Sequence, residues 1–182
     1  MIQLYRRGQL PLDHILARHE PQEELSQAVA DIIASVRRKG DSALLRYARQ
    51  FDGAAPQRLE VPPEELERAL EELDPELRAI LEQAADNIRS FHSRQVRNSF
   101  LITEREGVVL GQKVTPLDRV GLYIPGGTAA YPSTVLMNAI PAQIAGVGEI
   151  IMVSPPSRSG DIAPVILAAA KIAGVGRVFR VG

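Results

Sequence analysis

The sequence predicts an α/β protein in which a helical N-terminal part precedes a parallel β-sheet with flanking helices. Two observations carry this prediction. Residues 21–97 are rich in Glu, Arg, Leu and Ala, with apolar residues at helical spacing. After residue 99, short apolar runs rich in β-branched residues alternate with helical patterns. Apolar runs without polar alternation are typical of parallel strands covered on both faces, so we expect such a sheet here.

Four helices are predicted in the first part of the chain. They run from Leu25 to Lys39, from Asp41 to Phe51, from Pro63 onwards, and from about Pro75 to Gln95. Glycine ends helices readily, so Gly40 and the pair Asp52-Gly53 are the expected stops. The interleaved Glu and Arg residues predict solvent-exposed helix faces with ion pairs four residues apart.

A hairpin and a strand–helix repeat are predicted after residue 99. The hairpin has strands at 100–103 and 108–110, and the strands that follow lie at 120–124, 149–153 and 178–181, separated by helices over 135–144 and about 161–173. Parallel strands need crossover connections, which are right-handed. We therefore expect residues 1–115 to form an N-terminal helical segment and hairpin, part of a first domain. Residues 116–182 should form an incomplete Rossmann-like domain.

Composition excludes several classes of function. The 182 residues carry a net charge of -1, so no electrostatic footprint for nucleic acid or an anionic membrane is present. There is no cysteine, which excludes disulfides and thiolate metal sites. The longest apolar stretch, Ile162–Ala173, contains Pro164 and Lys171 and is too short to span a bilayer. We expect a cytoplasmic protein with no nucleic-acid or membrane partner.

The expected ligand edge lies beyond the carboxyl ends of the strands, at Tyr123–Pro132 and Ser154–Asp161. Gly126 and Gly127 would let the backbone approach a ligand, Thr128 offers a hydroxyl, and the next helix presents its N-terminus there. Two adjacent glycines do not make a G-x-G-x-x-G fingerprint. An alternative is a tight strand-to-helix turn without a ligand, with Tyr123 as a core aromatic whose hydroxyl reaches solvent.

Metal and acid–base chemistry have no visible motif. The three histidines, His14, His19 and His92, show no metal-ligand spacing. A nucleophile elbow and a Walker loop are also absent from the sequence. From the residues we predict no catalytic residue and no metal ligand in this chain.

A family resemblance adds to this interpretation. The segment from Arg119 to Ala142, RVGLYIPGGTAAYPSTVLMNAIPA, resembles the signature of histidinol dehydrogenases. The resemblance continues through Val153–Pro156, and earlier pieces agree at Gly40-Asp41, Phe51-Asp52 and Phe91-His92. It extends over nearly the whole chain, in order and without an obvious gap.

The resemblance implies a zinc enzyme that oxidises L-histidinol to L-histidine through histidinal, with two NAD molecules reduced in succession. It also implies a homodimer whose two chains share each site. NAD contacts are implied at Tyr123, and beside it at Phe51, Pro125 and Pro155, so residues 116–182 would be an NAD-binding domain. Tyr123, Pro125 and Pro155 coincide with the ligand edge, whereas the role of Phe51 rests on the resemblance alone.

The sequence departs from the family pattern at its end. The family's zinc ligands, its Glu-His acid–base pair, most histidinol contacts and a Gly-Gly-Ala-Gln segment belong to later parts. We expect this chain to be an N-terminal fragment that is inactive alone. The edge of its last strand, Val178–Val181, should be exposed, and we expect the isolated chain to dimerise, swap elements or aggregate unless that edge is paired. The alternative is a non-catalytic remnant that serves as a nucleotide-binding or dimerisation module. An unrelated Rossmann-like NAD protein is disfavoured by the missing glycine pattern.

Overall fold

The structure is a computed structural model, and it describes residue 9 and residues 23–53, 56–126 and 129–182. The chain groups into two compact units, Met1–Gly40 and Asp41–Gly182. The first contains helix α1 (Glu23–Lys39), which ends at Gly40 with a φ of 55°, as the sequence predicts. The predicted domain boundary between residues 115 and 116 falls inside the second unit and stays a prediction. No helix in the described ranges is long and apolar enough to cross a membrane.

The helices before the hairpin lie close to their predicted positions. They are α2 (Asp41–Tyr47), a π-helical turn (Ala48–Asp52), α3 (Pro63–Glu71), α4 (Pro75–His92) and a 3₁₀ turn (Ser93–Gln95). The prediction of one regular helix up to Phe51 is wrong, because its last part widens into a π-turn. Gly53, with a φ of 62°, donates its backbone N–H to the carbonyl of Ala48, five residues earlier.

The strands follow the predicted order. They are the antiparallel pair β1 (Phe100–Arg105) and β2 (Val108–Gln112), and then β3 (Arg119–Tyr123), β4 (Glu149–Ser154) and β5 (Arg177–Arg180). Helices α5 (Pro132–Ile144) and α6 (Pro164–Ile172) connect the last three strands. These three form a parallel sheet in the order β3-β4-β5, which confirms the α/β fold class.

Only one face of the parallel sheet is fully covered by described residues. Because β3, β4 and β5 lie side by side in chain order, right-handed crossovers place α5 and α6 on the same face. Met152 and Val178 are buried there, and the core that contains them extends to α3 and α4. On the other face Ile151 and Val153 stay partly exposed. The expectation of strands covered on both faces is therefore wrong for these residues.

The edge of β5 is paired, contrary to the sequence-based expectation. The segment before α3 runs antiparallel to β5, with Val61 N–H donating to the Val178 carbonyl at 2.9 Å. Arg180 N–H donates to the Leu59 carbonyl at 2.7 Å. The predicted exposed edge was wrong because this segment, which no strand pattern marked, supplies the missing partner. Self-association through that edge loses its physical basis.

Candidate functional site

The candidate site lies at the carboxyl edge of the parallel sheet, where three chain segments stay aligned beyond their strands. After β3, Ile124 N–H donates to the Val153 carbonyl at 2.9 Å. After β5, Val181 N–H donates to the Ser154 carbonyl at 3.0 Å. The loops that follow the strands therefore leave the sheet from one place, as expected for a ligand edge.

Pro155 is the point where these segments meet. A β-carbon on Gly126 would lie 2.9 Å from Pro155 Cγ, and one on Gly182 would lie 3.0 Å from Pro155 Cβ. The same β-carbon on Gly182 would lie 2.9 Å from the carboxylate oxygen Oδ2 of Asp52. Four segments that are distant in sequence thus touch at one edge, and two glycines without side chains make the close approach possible.

The structure places the predicted NAD-contact residues around this junction. Tyr123 ends β3 on the open face of the sheet and is 58% exposed. Pro125 is exposed next to Gly126, and Pro155 is half-buried. Phe51 is 61% exposed and precedes Asp52 in the π-turn, where its ring stacks on Tyr47 with 5.6 Å between ring centroids. The interpretation of Tyr123 as a core aromatic does not fit this exposure.

The loop between β3 and α5 is described only in part, since Gly127 and Thr128 lie outside the described residues. Helix α5 begins at Pro132 and has no side-chain cap at Tyr131. Because it follows β3, its N-terminus lies at the carboxyl edge. In its first turn Pro132 has no N–H and the Thr134 N–H donates to the Tyr131 carbonyl at 3.1 Å, so what this end offers a ligand is mainly the positive end of the helix dipole.

Asp52 is a member of the site that sequence reasoning missed. The pattern marked it only as a turn residue before Gly53, and its contact with Gly182 joins segments 130 residues apart, which no local signal reveals. Partial burial against these segments disfavours the charged form and raises the pKa of the Asp52 carboxyl above its usual 3.8.

Metal-binding side chains do not gather in the part of the chain that is described. No group of three or more His, Cys, Asp or Glu residues there could hold a metal ion. His92 lies at the end of α4 with Nδ1 2.7 Å from Oε1 of Gln95. His14 and His19 lie outside the described residues.

A polar cavity of about 360 Å³ lies at the carboxyl end of β5, beside the site. Its lining includes the buried Arg180, whose Nη2 lies 2.7 Å from both carboxylate oxygens of Glu65. Arg180 Nη1 also donates to the carbonyl oxygens of Arg58 and Glu60. Its charge and donors are used within the protein, so we assign Arg180 a structural role that the sequence pattern did not indicate.

Fold and site together define the class of this protein. It is an α/β protein with a parallel sheet, and its candidate site is built from loops at the carboxyl ends of the strands. The sequence model of the histidinol dehydrogenase family matches residues 16–182. The chain therefore belongs to the histidinol dehydrogenase family.

Individual relatives agree with this assignment. The chain is 54% identical over 160 residues to a histidinol dehydrogenase of Geobacillus kaustophilus. This match covers 88% of the chain and 38% of the relative. It is 52% identical over 175 residues to the histidinol dehydrogenase of Pseudomonas syringae pv. syringae, a match that covers 94% of the chain and 39% of the relative. The crystal structure of histidinol dehydrogenase from Elizabethkingia anophelis matches with a TM-score of 0.84 and 34% identity, over 95% of this chain and 41% of that one. The chain thus spans about two fifths of the length of these relatives.

Proposed function

We propose that this chain supplies NAD-contacting residues to an enzyme that oxidises L-histidinol to L-histidine through histidinal. The observation that carries the proposal is the junction at Pro155, where Gly126 and Gly182 approach Pro155 closely and Asp52 approaches Gly182. It gathers segments that contain, or lie directly beside, Phe51, Tyr123, Pro125 and Pro155. Membership of the histidinol dehydrogenase family supports the choice of NAD and histidinol.

The residues at this edge fit a dinucleotide in their chemistry. Tyr123 and Phe51 expose aromatic surface on which a flat ring can pack. The N-terminus of α5, which has no side-chain cap at Tyr131, offers its positive dipole to phosphate oxygens. When bound, NAD would supply the hydride acceptor of the oxidation. The role of this chain is to hold and orient the cofactor.

Zinc does not fit the described residues of this chain, since they contain no cluster of candidate ligands. We propose that its ligands, and the acid–base pair, lie in segments that the relatives contain beyond the matched two fifths of their length. The 182-residue chain alone is then inactive, because a dehydrogenase needs groups to remove and return protons at the alcohol. We further propose that the working enzyme is a cytoplasmic homodimer.

NAD titration calorimetry on three purified variants tests this proposal. We expect Tyr123→Ala and Phe51→Ala each to weaken NAD binding by about tenfold, in line with the loss of one stacking contact. Phe91→Ala is the matched control, since Phe91 is 64% exposed on α4 and belongs to no part of the site. Equal NAD affinity in all variants, or no NAD binding by the parent chain at millimolar NAD, would refute the proposal.

A non-catalytic module is the second candidate function, and one observation favours it. The β1–β2 hairpin exposes apolar side chains such as Leu101 and Val109, as a surface for self-association would. An assay of the chain with NAD and histidinol cannot separate the two candidates, because both predict no NADH. A fusion of this chain to the part of a relative beyond the matched two fifths can, since only an enzyme part would then support NADH formation.

A further inference from the structure

The carboxylate of Asp52 has no cation and no hydrogen-bond donor as a partner in the part of the chain that the structure describes. Asp52 ends the π-turn that follows α2, and it is half-buried. The pKa of its carboxyl is raised by desolvation alone, so no neighbouring charge or donor offsets the cost of burial. Desolvated polar groups in native proteins usually have a hydrogen-bond partner. A ligand that donates hydrogen bonds would supply one here.

The position of this carboxylate is at the junction around Pro155. A β-carbon on Gly182 would lie 2.9 Å from Oδ2 and 3.0 Å from Oδ1 of Asp52. Because glycine has no side chain, the segment that follows β5 and the Asp52 carboxylate approach each other directly. Phe51, the residue before Asp52, exposes 61% of its surface at the same place. The unpartnered carboxylate therefore lies beside the aromatic surface on which the cofactor is proposed to pack.

The adenosine half of a dinucleotide fits this position better than the nicotinamide half. The nicotinamide ring has to contact the reacting groups, because hydride transfer needs the two partners in contact. Those groups are proposed to lie outside this chain, and the described residues contain no cluster of metal ligands. With the phosphates at the N-terminus of α5, the other half of the cofactor is left for the junction. Its ribose hydroxyls are the donors that Asp52 lacks.

We propose that Asp52 accepts hydrogen bonds from the ribose hydroxyls of the adenosine half and thereby selects NAD against NADP. The inference rests on the proposed function, for which it names a specificity-determining residue. In NADP a phosphate replaces the 2′-hydroxyl, so a donor is lost and a negative charge faces the carboxylate. Sites that accept NADP commonly offer an arginine to that phosphate. Arg180, in the adjoining cavity, is already paired with Glu65 and does not offset the Asp52 charge.

Titration calorimetry of the 182-residue chain with NAD, NADP, ADP-ribose and nicotinamide mononucleotide tests the proposal. The parent chain should bind ADP-ribose about as well as NAD, and the other two ligands at least about tenfold more weakly. Asp52→Asn should weaken NAD binding by about threefold to tenfold and strengthen NADP binding by about tenfold, because asparagine keeps an acceptor oxygen but no charge. Asp52→Ser should shift both affinities in the same directions. Asp118→Asn is the matched control, since it removes the same charge from an exposed residue at the amino edge of the sheet.

The ratio of NADP affinity to NAD affinity separates this role of Asp52 from a structural one. A disturbed junction would weaken both dinucleotides alike, whereas loss of the carboxylate should raise the ratio by at least about 30-fold. Circular dichroism confirms that each variant is folded.

The outcomes also separate this inference from the proposed function. If the parent chain binds NAD, the role of Asp52 is overturned by an unchanged ratio in both Asp52 variants, or by NADP that stays unbound by them at millimolar concentration. Equal binding of NAD and NADP by the parent, or tighter binding of nicotinamide mononucleotide than of ADP-ribose, would overturn it too. In these cases the proposed function stands. No NAD binding by the parent would overturn the proposed function and this inference together.

Discussion

The Nη2 atom of Arg180 on β5 lies 2.7 Å from both carboxylate oxygens of Glu65 in the first turn of α3. Only 7% of the Arg180 side chain and 21% of the Glu65 side chain are exposed. Further bonds to the carbonyls of Arg58 and Glu60 hold the segment that pairs with β5. This pair therefore fixes the edge of the sheet beside the candidate site.

Arg180→Ala is expected to destabilise the chain strongly. It leaves the carboxylate of Glu65 without its cation, and breaking a mostly buried pair costs about 3 kcal/mol. For a chain of this size that lowers Tm by roughly 10 °C in thermal unfolding followed by circular dichroism. Arg177→Ala is the matched control on the same strand. Glu60, the partner of Arg177, is solvated, so the Tm of the Arg177→Ala variant should change far less. Similar losses in both variants would contradict the structural role of Arg180.

Asp52→Asn is expected to stabilise the chain at neutral pH. The folded state raises the pKa of Asp52 above 3.8, so it favours the protonated carboxyl, and the unfolded chain ionises more readily. The protonated Asp52 carboxyl therefore makes its full contribution to the free energy of unfolding below pH 3.8. That contribution is lost as pH rises through the raised pKa. Asparagine removes that loss, and Tm should rise by about 1–2 °C at pH 7. The difference between the variant and the parent should disappear below pH 3.8. A gain that is the same at every pH would show that burial of the Asp52 charge is not its cause.

Gly126→Ala is expected to disturb the junction at Pro155. The new β-carbon would lie 2.9 Å from both Cγ and the carbonyl oxygen of Pro155, so one of the two loops must move. Such overpacking costs about 1–3 kcal/mol, and NAD affinity should fall with it. Gly121→Ala is the control, because nothing lies within 4 Å of its β-carbon. Chemical denaturation and NAD titration of the two variants provide the comparison. An unchanged Gly126→Ala protein would mean that the loops are not closely packed.

Periodicity predicted the elements well, because local patterns determine them. Apolar spacing predicts the order of strands and helices after residue 99. The conformation that glycine favours explains why helices end at Gly40 and Gly53. Contacts between distant segments left no such signal. The antiparallel partner of β5 around Glu60 has no strand pattern, and the contact of Asp52 with Gly182 depends on the packing of two separate elements.

The candidate site, like the fold, was predictable from the sequence where local patterns determine it. Tyr123, Pro125 and Pro155 lie at the ends of parallel strands, and topology alone brings such positions to one edge. Phe51 could be proposed only from the family resemblance. Its neighbour Asp52 reaches the junction from a π-turn that helical periodicity does not reveal.

The most direct test of the central claim is an NMR titration of the ¹⁵N-labelled chain with NAD. We predict that chemical-shift changes cluster at the carboxyl edge, in the amides of Phe51–Gly53, Tyr123, Ile124, Gly126 and Val181–Gly182. The amino edge of the same sheet, at Asp118, Glu149 and Arg177, is an internal control and should stay unchanged. Shift changes at the amino edge, or none at all at millimolar NAD, would contradict the claim that this chain binds NAD at the junction around Pro155.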